Sequence, residues 1–207
     1  MTDYQPSLFS ASELRGSYKV TPVTPQITVD ALNQWKQRIL DYQQQVRQQQ
    51  LQQGSLFQSS LFEAAAPLID PSNDHADHYC EPVSPDAIDP FRLPPQNTEF
   101  WRWQADDAGV AALYFVIDYE RSILLYVGET VKSNQRWKGE HDCKRYLLNY
   151  RQAHYQLQLS SRLGIAFWAQ APAETRPRQR LELALIKKWR SPFNKENWQF
   201  WGTPFVY

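Results

Sequence analysis

Two apolar runs separated by a few polar residues constrain this chain more than any other feature. Residues 110–118 read VAALYFVID and residues 122–127 read SILLYV, with the turn-like DYERS joining them. Runs of aliphatic, β-branched and aromatic residues of this length form strands, and so short a connection makes them an antiparallel hairpin. A third run, RLGIAFWA at 162–169, predicts another strand. The intervening residues 134–155 read as largely helical, with Asn134 as a cap. Residues 178–190, RQRLELALIKKWR, form a second helix that follows Pro177 and is stopped by Pro192. The order strand, strand, helix, strand, helix predicts an α+β domain over 99–207, with a small antiparallel three-stranded sheet flanked by helices.

The front of the chain is organised differently. Residues 1–29 are polar and proline-containing and read as a flexible tail. Residues 30–53 read as an amphipathic helix, capped by Asp30 and ended by Gly54. Leu32, Trp35, Ile39, Tyr42 and Val46 recur at spacings of three and four and form one stripe. Beyond Val46 the stripe fades into glutamines, so this helix is expected to stand isolated, docking weakly or pairing with a second copy as a homodimer. Residues 54–98 hold seven prolines among Gly, Ser and Asp and read as a long linker. His75 and His78 sit there beside Asp74 and Asp77, and the reading is a polar acidic linker rather than a metal site.

Charge is divided in the same way. The net formal charge is zero, but residues 1–98 carry 6 Lys/Arg against 11 Asp/Glu, and residues 99–207 carry 16 against 11. A polyanion therefore meets the second half more favourably than the first. Two distant cysteines, Cys80 and Cys143, make neither a disulfide framework nor a thiolate zinc site. They read as free thiols in a reducing compartment. With no long apolar run and no N-terminal signal segment, the expectation is a soluble cytoplasmic protein with no membrane partner.

Tyr114 and Tyr126 lie on the two strands of the hairpin, which brings both phenols toward one cleft. Strand tyrosines also simply fill sheet space, so the pair gains meaning from its neighbours. Gly128 follows at once, where backbone turns or approaches a ligand. Arg136, near the start of a helix, offers a guanidinium fork to a phosphate. Glu182 shares a helix face with Leu185, Ile186 and Trp189. A carboxylate there is costly unless paired or bound to metal, and Arg180, Lys187 and Lys188 point elsewhere. A hard cation such as Mg²⁺ accounts for it.

In this order and spacing, ALY at 112–114, YVG at 126–128, Arg136, Glu182 within LELALIKKWRSPFNKEN, and Asn194 resemble the GIY-YIG nuclease family over about residues 110–198. The resemblance implies a divalent-metal-dependent endonuclease that hydrolyses DNA phosphodiester bonds in repair, recombination or processing. It implies Tyr114 as general base or its close helper, and Tyr126 as the group that positions water or phosphate. Arg136 would neutralise charge on the phosphoryl oxygens, and Asn194 would fix the phosphate region or the local loop. Glu182 would anchor one Mg²⁺, with Mn²⁺ as the alternative. Gly128, Lys132, Lys138 and Lys144 are the expected substrate contacts. Three positions depart from the family pattern. Ala112 replaces a glycine, and Glu129 stands where a lysine is common, with Lys132 as its substitute. Glu140 occupies the usual position of a basic or phenolic helper, with His141 next to it as the candidate replacement.

A short pattern recurs in the front half. QPSLF at 5–9, QGSLF at 53–57 and QSSLF at 58–62 share Gln-x-x-Leu-Phe, through Gln5, Leu8, Phe9, Gln53, Leu56, Phe57, Gln58, Leu61 and Phe62. This is similar to the pentapeptide by which bacterial replication and repair proteins hold the sliding clamp. It implies a tether to DNA and, in a bacterium, a nucleoid-associated location. The other reading of the chain is a catalytically weak or inactive nucleic-acid-binding adaptor held on a clamp. Trp189, Phe193, Trp198, Phe200, Trp201, Phe205 and Tyr207 crowd the C-terminus, and Trp101 and Trp103 the domain's entry. Most are expected to supply core volume rather than to stack on bases.

Overall fold

The structure, a computed structural model, describes residues 27–61, 83–97, 110–132 and 142–205, the side chains of 53–61 excepted. Strands β2 (Ala112–Asp118) and β3 (Ile123–Thr130) form the expected antiparallel hairpin. Their register pairs Tyr114 with Gly128 and Val116 with Tyr126, then shifts by one between Val116 and Ile117, leaving Leu125 as the extra residue of a bulge. Strand β4 (Leu163–Trp168) pairs antiparallel with the other edge of β2. The sheet has four strands rather than three, because β1 (Gln96–Asn97) adds to the far side of β4 and gives the order β1-β4-β2-β3. A two-residue strand carries no alternation, so periodicity cannot reveal it.

Every residue of β2 is buried. Tyr114 and Val116 enter one hydrophobic cluster and Leu113, Phe115 and Ile117 the other. A strand covered on both faces reads as an unbroken apolar run, which is why the hairpin stands out in the sequence. One face is covered by α1 (Val29–Leu61), α2 (Asp142–Gln156) and the C-terminal aromatics. The other is covered by α3 (Thr175–Trp189) and the segment from Val83 to Leu93.

The first helix is therefore not isolated. Leu32, Trp35 and Ile39 are core residues, and Val46 packs against the second cluster. Gly54 does not end the helix, whose backbone continues to Leu61. A glycine weakens a helix by about 1 kcal/mol relative to alanine without forbidding it. Gln43 fixes the helix to the open edge of β3. Its amide donates to the carbonyls of Leu124 and Trp189 at 2.9 and 3.1 Å and accepts from the Leu124 N–H at 2.8 Å. The side chain thus replaces a missing neighbouring strand.

A buried polar chain ties the same helix to the end of β2. Lys36 Nζ lies 3.1 Å from Asp118 Oδ2 and 3.0 Å from His154 Nε2. The Tyr150 hydroxyl donates to Asp118 Oδ2 at 2.7 Å, and His154 Nδ1 reaches the Tyr150 carbonyl at 2.8 Å. Burial alone would raise the Asp118 pKa, but the Lys36 ammonium, the Tyr150 hydroxyl and the Arg162 backbone N–H outweigh it and hold the carboxyl below its usual range. Burial raises the Tyr150 phenol, and the neighbouring carboxylate raises it further. Burial also lowers the His154 imidazole, which favours its neutral form as acceptor for Lys36.

Part of the expected linker is built into the fold. Turns at Pro85–Ala87 and Pro90–Arg92 are capped by Ser84 and Asp89. They deliver Ile88 and Phe91 onto α3, where the Phe91 ring meets Trp189 at 5.7 Å. Lys188 holds the first turn through Asp86 at 2.9 Å. Helix α3 starts three residues earlier than the sequence pattern suggests, with Pro177 in its first turn, where a missing N–H is tolerated. It ends in a left-handed Arg190 at φ 45°, ψ 48°, whose N–H returns to the Ile186 carbonyl. Trp189, Phe193, Trp201 and Phe205 are buried, as core-forming aromatics should be, whereas Phe200 stays exposed. A short helix α4 (Trp198–Trp201) carries Trp201 into the core. Cys143 is a buried thiol outside any disulfide. Among the described residues no helix is long and apolar enough to cross a membrane.

Candidate active site

The hairpin register places the two tyrosines on one face as diagonal neighbours. Their rings stack at 5.8 Å between centroids and 30° between planes. Tyr126, on the edge strand, is half-buried, whereas Tyr114, on the central strand, is fully buried between Tyr126 and Phe167. Gly128 is what allows this arrangement. A Cβ built on it would lie 2.3 Å from Tyr114 Cζ and 2.4 Å from its hydroxyl oxygen. The close approach anticipated at this glycine is made by a side chain of the neighbouring strand.

Tyr126 forms one wall of a cleft of about 300 Å³. Glu182 on α3, half-buried, lines the same cleft, while Leu185, Ile186 and Trp189 of the same helix are buried. Asn194 also lines the cleft and is buried. Its Oδ1 accepts from the Val127 N–H at 2.9 Å and from the Ser191 hydroxyl at 2.6 Å, and its amide donates to the Val127 carbonyl at 2.8 Å. The adjacent Phe193 N–H donates to the Leu125 carbonyl at 2.9 Å. The loop after α3 is thus hydrogen-bonded along the β3 edge like a fragment of strand, and it sets the distance between Tyr126 and the Glu182 helix.

Four further polar lining residues escaped the sequence reading: Asp142 and Tyr146 on α2, and Lys195 and Glu196 after Asn194. Lys195 Nζ pairs with Asp142 Oδ2 at 2.9 Å across the rim. Hydrogen bonding and charge from Asp142 push the Lys195 pKa up, so it stays an ammonium near neutral pH. The signal for Lys195 and Glu196 was present, since both directly follow Asn194. Asp142 and Tyr146, one helical turn apart, carried no signal of their own.

The remaining candidates fall in two groups. Lys132 is exposed and Lys144 half-buried, and neither is among the described residues lining the cleft. Arg136, Lys138, Glu140 and His141 lie outside the described residues, as do Gln5, Leu8, Phe9, Phe62, His75, His78, Cys80, Trp101, Trp103 and Tyr207. The side chains of Gln53, Leu56, Phe57, Gln58 and Leu61 are also outside them, although the backbone of 53–61 belongs to α1. Glu129 has a structural partner. Its Oε2 accepts from Arg178 Nε at 2.6 Å, and the same guanidinium donates to the carbonyls of Pro172 and Ala173. It clamps the β4–α3 connection, so the carboxylate at this position is used in folding.

Among the described residues no group of three or more His, Cys, Asp or Glu side chains is arranged to hold a metal ion. A Mg²⁺ ion does not require one, because it keeps several waters and takes one or two carboxylates plus substrate oxygens. Glu182 in a polar cleft fits that donor set. No family model, curated protein or solved structure matches this chain.

Proposed function

We propose that the chain is a divalent-metal-dependent endonuclease that hydrolyses phosphodiester bonds of DNA in its repair, recombination or processing. The reading is supported above all by the convergence of Tyr126, Glu182 and Asn194, from three separate parts of the chain, on one cleft. Glu182 would hold Mg²⁺, or Mn²⁺ by the same oxygen chemistry. The bound cation supplies positive charge to the phosphate oxygens. Tyr126 presents the phenol that reaches the cleft and orients the attacking water or the phosphate. Tyr114 is sealed behind it and fixes the Tyr126 ring, so handling of the water's proton passes to Tyr126. Asn194 locks the strand edge under the site, and Lys195 adds a cation at the rim. Arg136 is assigned to the phosphoryl charge, and the Gln-x-x-Leu-Phe segments to a tether such as a sliding clamp.

The test is incubation of the full chain with single-stranded, duplex, branched and flap DNA, with Mg²⁺ and with EDTA. Cutting of at least one substrate that depends on the metal supports the proposal. Binding without cutting of any substrate would instead favour the adaptor reading.

A further inference from the structure

The cleft contains one polar group whose position core packing alone does not explain. Tyr146 is only 1% exposed, and its ring is held edge-on by Phe193 at 5.9 Å and Trp198 at 6.1 Å. The guanidinium of Arg145 lies over the same ring at 5.4 Å. A phenylalanine would fill this space equally well. Tyr146 nevertheless lines the cleft that Tyr126 and Glu182 share, and its hydroxyl, which has no hydrogen-bond partner among the described residues, is not one of the polar atoms sealed from solvent and so opens to the cleft. A hydroxyl that meets solvent through the cleft is open to whatever binds there. The Lys195 ammonium is close enough to interact with it electrostatically.

We infer that the Tyr146 hydroxyl is a substrate ligand, donating a hydrogen bond to a non-bridging phosphate oxygen that Lys195 approaches from the rim. The assignment rests on the nuclease reading of the cleft. The Tyr146 O–H and the Lys195 ammonium, which also pairs with Asp142, offer donors to a phosphodiester oxygen, while the Asp142, Glu182 and Glu196 carboxylates of the same cleft call for a divalent cation to admit that anion. The rigid ring also places the donor at low entropic cost, because Phe193 and Trp198 already hold it.

The experiment compares the full-length wild type, Tyr146→Phe and Glu182→Ala. Three quantities are read: melting temperature, affinity for a fluorescein-labelled oligonucleotide with Ca²⁺ in place of Mg²⁺, and kcat/KM for cleavage with Mg²⁺. Tyr146→Phe is expected to melt no lower than wild type while losing about ten-fold or more in affinity and in kcat/KM, as loss of a hydrogen bond to a charged acceptor requires. If Glu182→Ala loses cleavage while Tyr146→Phe binds and cuts like wild type, this assignment falls and the nuclease reading stands. A Tyr146→Phe protein whose losses come with a matching fall in melting temperature also overturns it, since the hydroxyl would then be structural. A wild type that neither binds nor cuts overturns both.

Discussion

Replacing Gly128 with alanine should damage the protein in a way that depends on Tyr114. The new Cβ would sit 2.3 Å from Tyr114 Cζ, more than 1 Å short of the 3.4 Å at which ordinary contact begins. Tyr114 is the far end of a side chain, but it is fully buried between Tyr126 and Phe167 and has nowhere to swing. Overpacking of this kind costs about 1–3 kcal/mol. For a domain of this size that is roughly 2–4 °C in Tm for each kcal/mol. The displaced ring would push Tyr126, and under the proposed function a shift of about 1 Å at that residue costs on the order of 100-fold in rate. Urea denaturation of wild type, Gly128→Ala, Tyr114→Leu and the double variant measures the coupling directly. The alanine should cost at least about 1 kcal/mol less in the Tyr114→Leu background, because the shorter side chain vacates the clash. An alanine that is neutral in the wild type, or equally costly in both backgrounds, would refute the reasoning.

Three other outcomes follow from the same geometry. Asn194→Ala strips partners from both the N–H and the carbonyl of buried Val127, so it should cost about 2–3 kcal/mol in urea unfolding and speed hydrogen exchange at Val127. Lys36→Met leaves the Asp118 carboxylate buried without its cation, which should cost about 3–5 kcal/mol by the same measurement. Stability should also fall with acidification in two stages. The folded His154 pKa is lowered, so the unfolded chain takes up that proton first, and this stabilisation is full above about pH 6.5 and declines below it. Asp118 is also lowered, and its contribution is lost further down, below about pH 4 and through the folded value. Melting temperatures measured from pH 8 to pH 3 check both, and a flat profile between pH 7 and pH 5 would contradict the His154 assignment.

The sequence made the hairpin legible because β2 is covered on both faces, so its burial appears as an unbroken apolar run. Glu182 was legible for the opposite reason, as one carboxylate on an apolar helix face. What stayed hidden depends on distant partners. Lys36 and Gln43 lie on α1 among residues of similar polarity, and nothing local marks them for Asp118 and for the Leu124 backbone. Their burial turns an apparently isolated helix into part of the core. Asn194 was singled out, but its role as a stand-in for a strand became visible only with the β3 edge beside it. Glu129 looked like a loss of positive charge at the site, and its use in holding Arg178 could not be read from spacing. Tyr146 was one helical tyrosine among several until the loop after α3 placed Lys195 beside it.

The most direct test of the central claim is single-turnover cleavage of a DNA substrate with Mg²⁺ by the wild type and by Glu182→Gln, alongside their affinities for that DNA. The account predicts that the glutamine protein folds and binds DNA but cuts about 100-fold or more slowly, because the only change is the carboxylate assigned to the cation. Equal cleavage rates for the two proteins would contradict it.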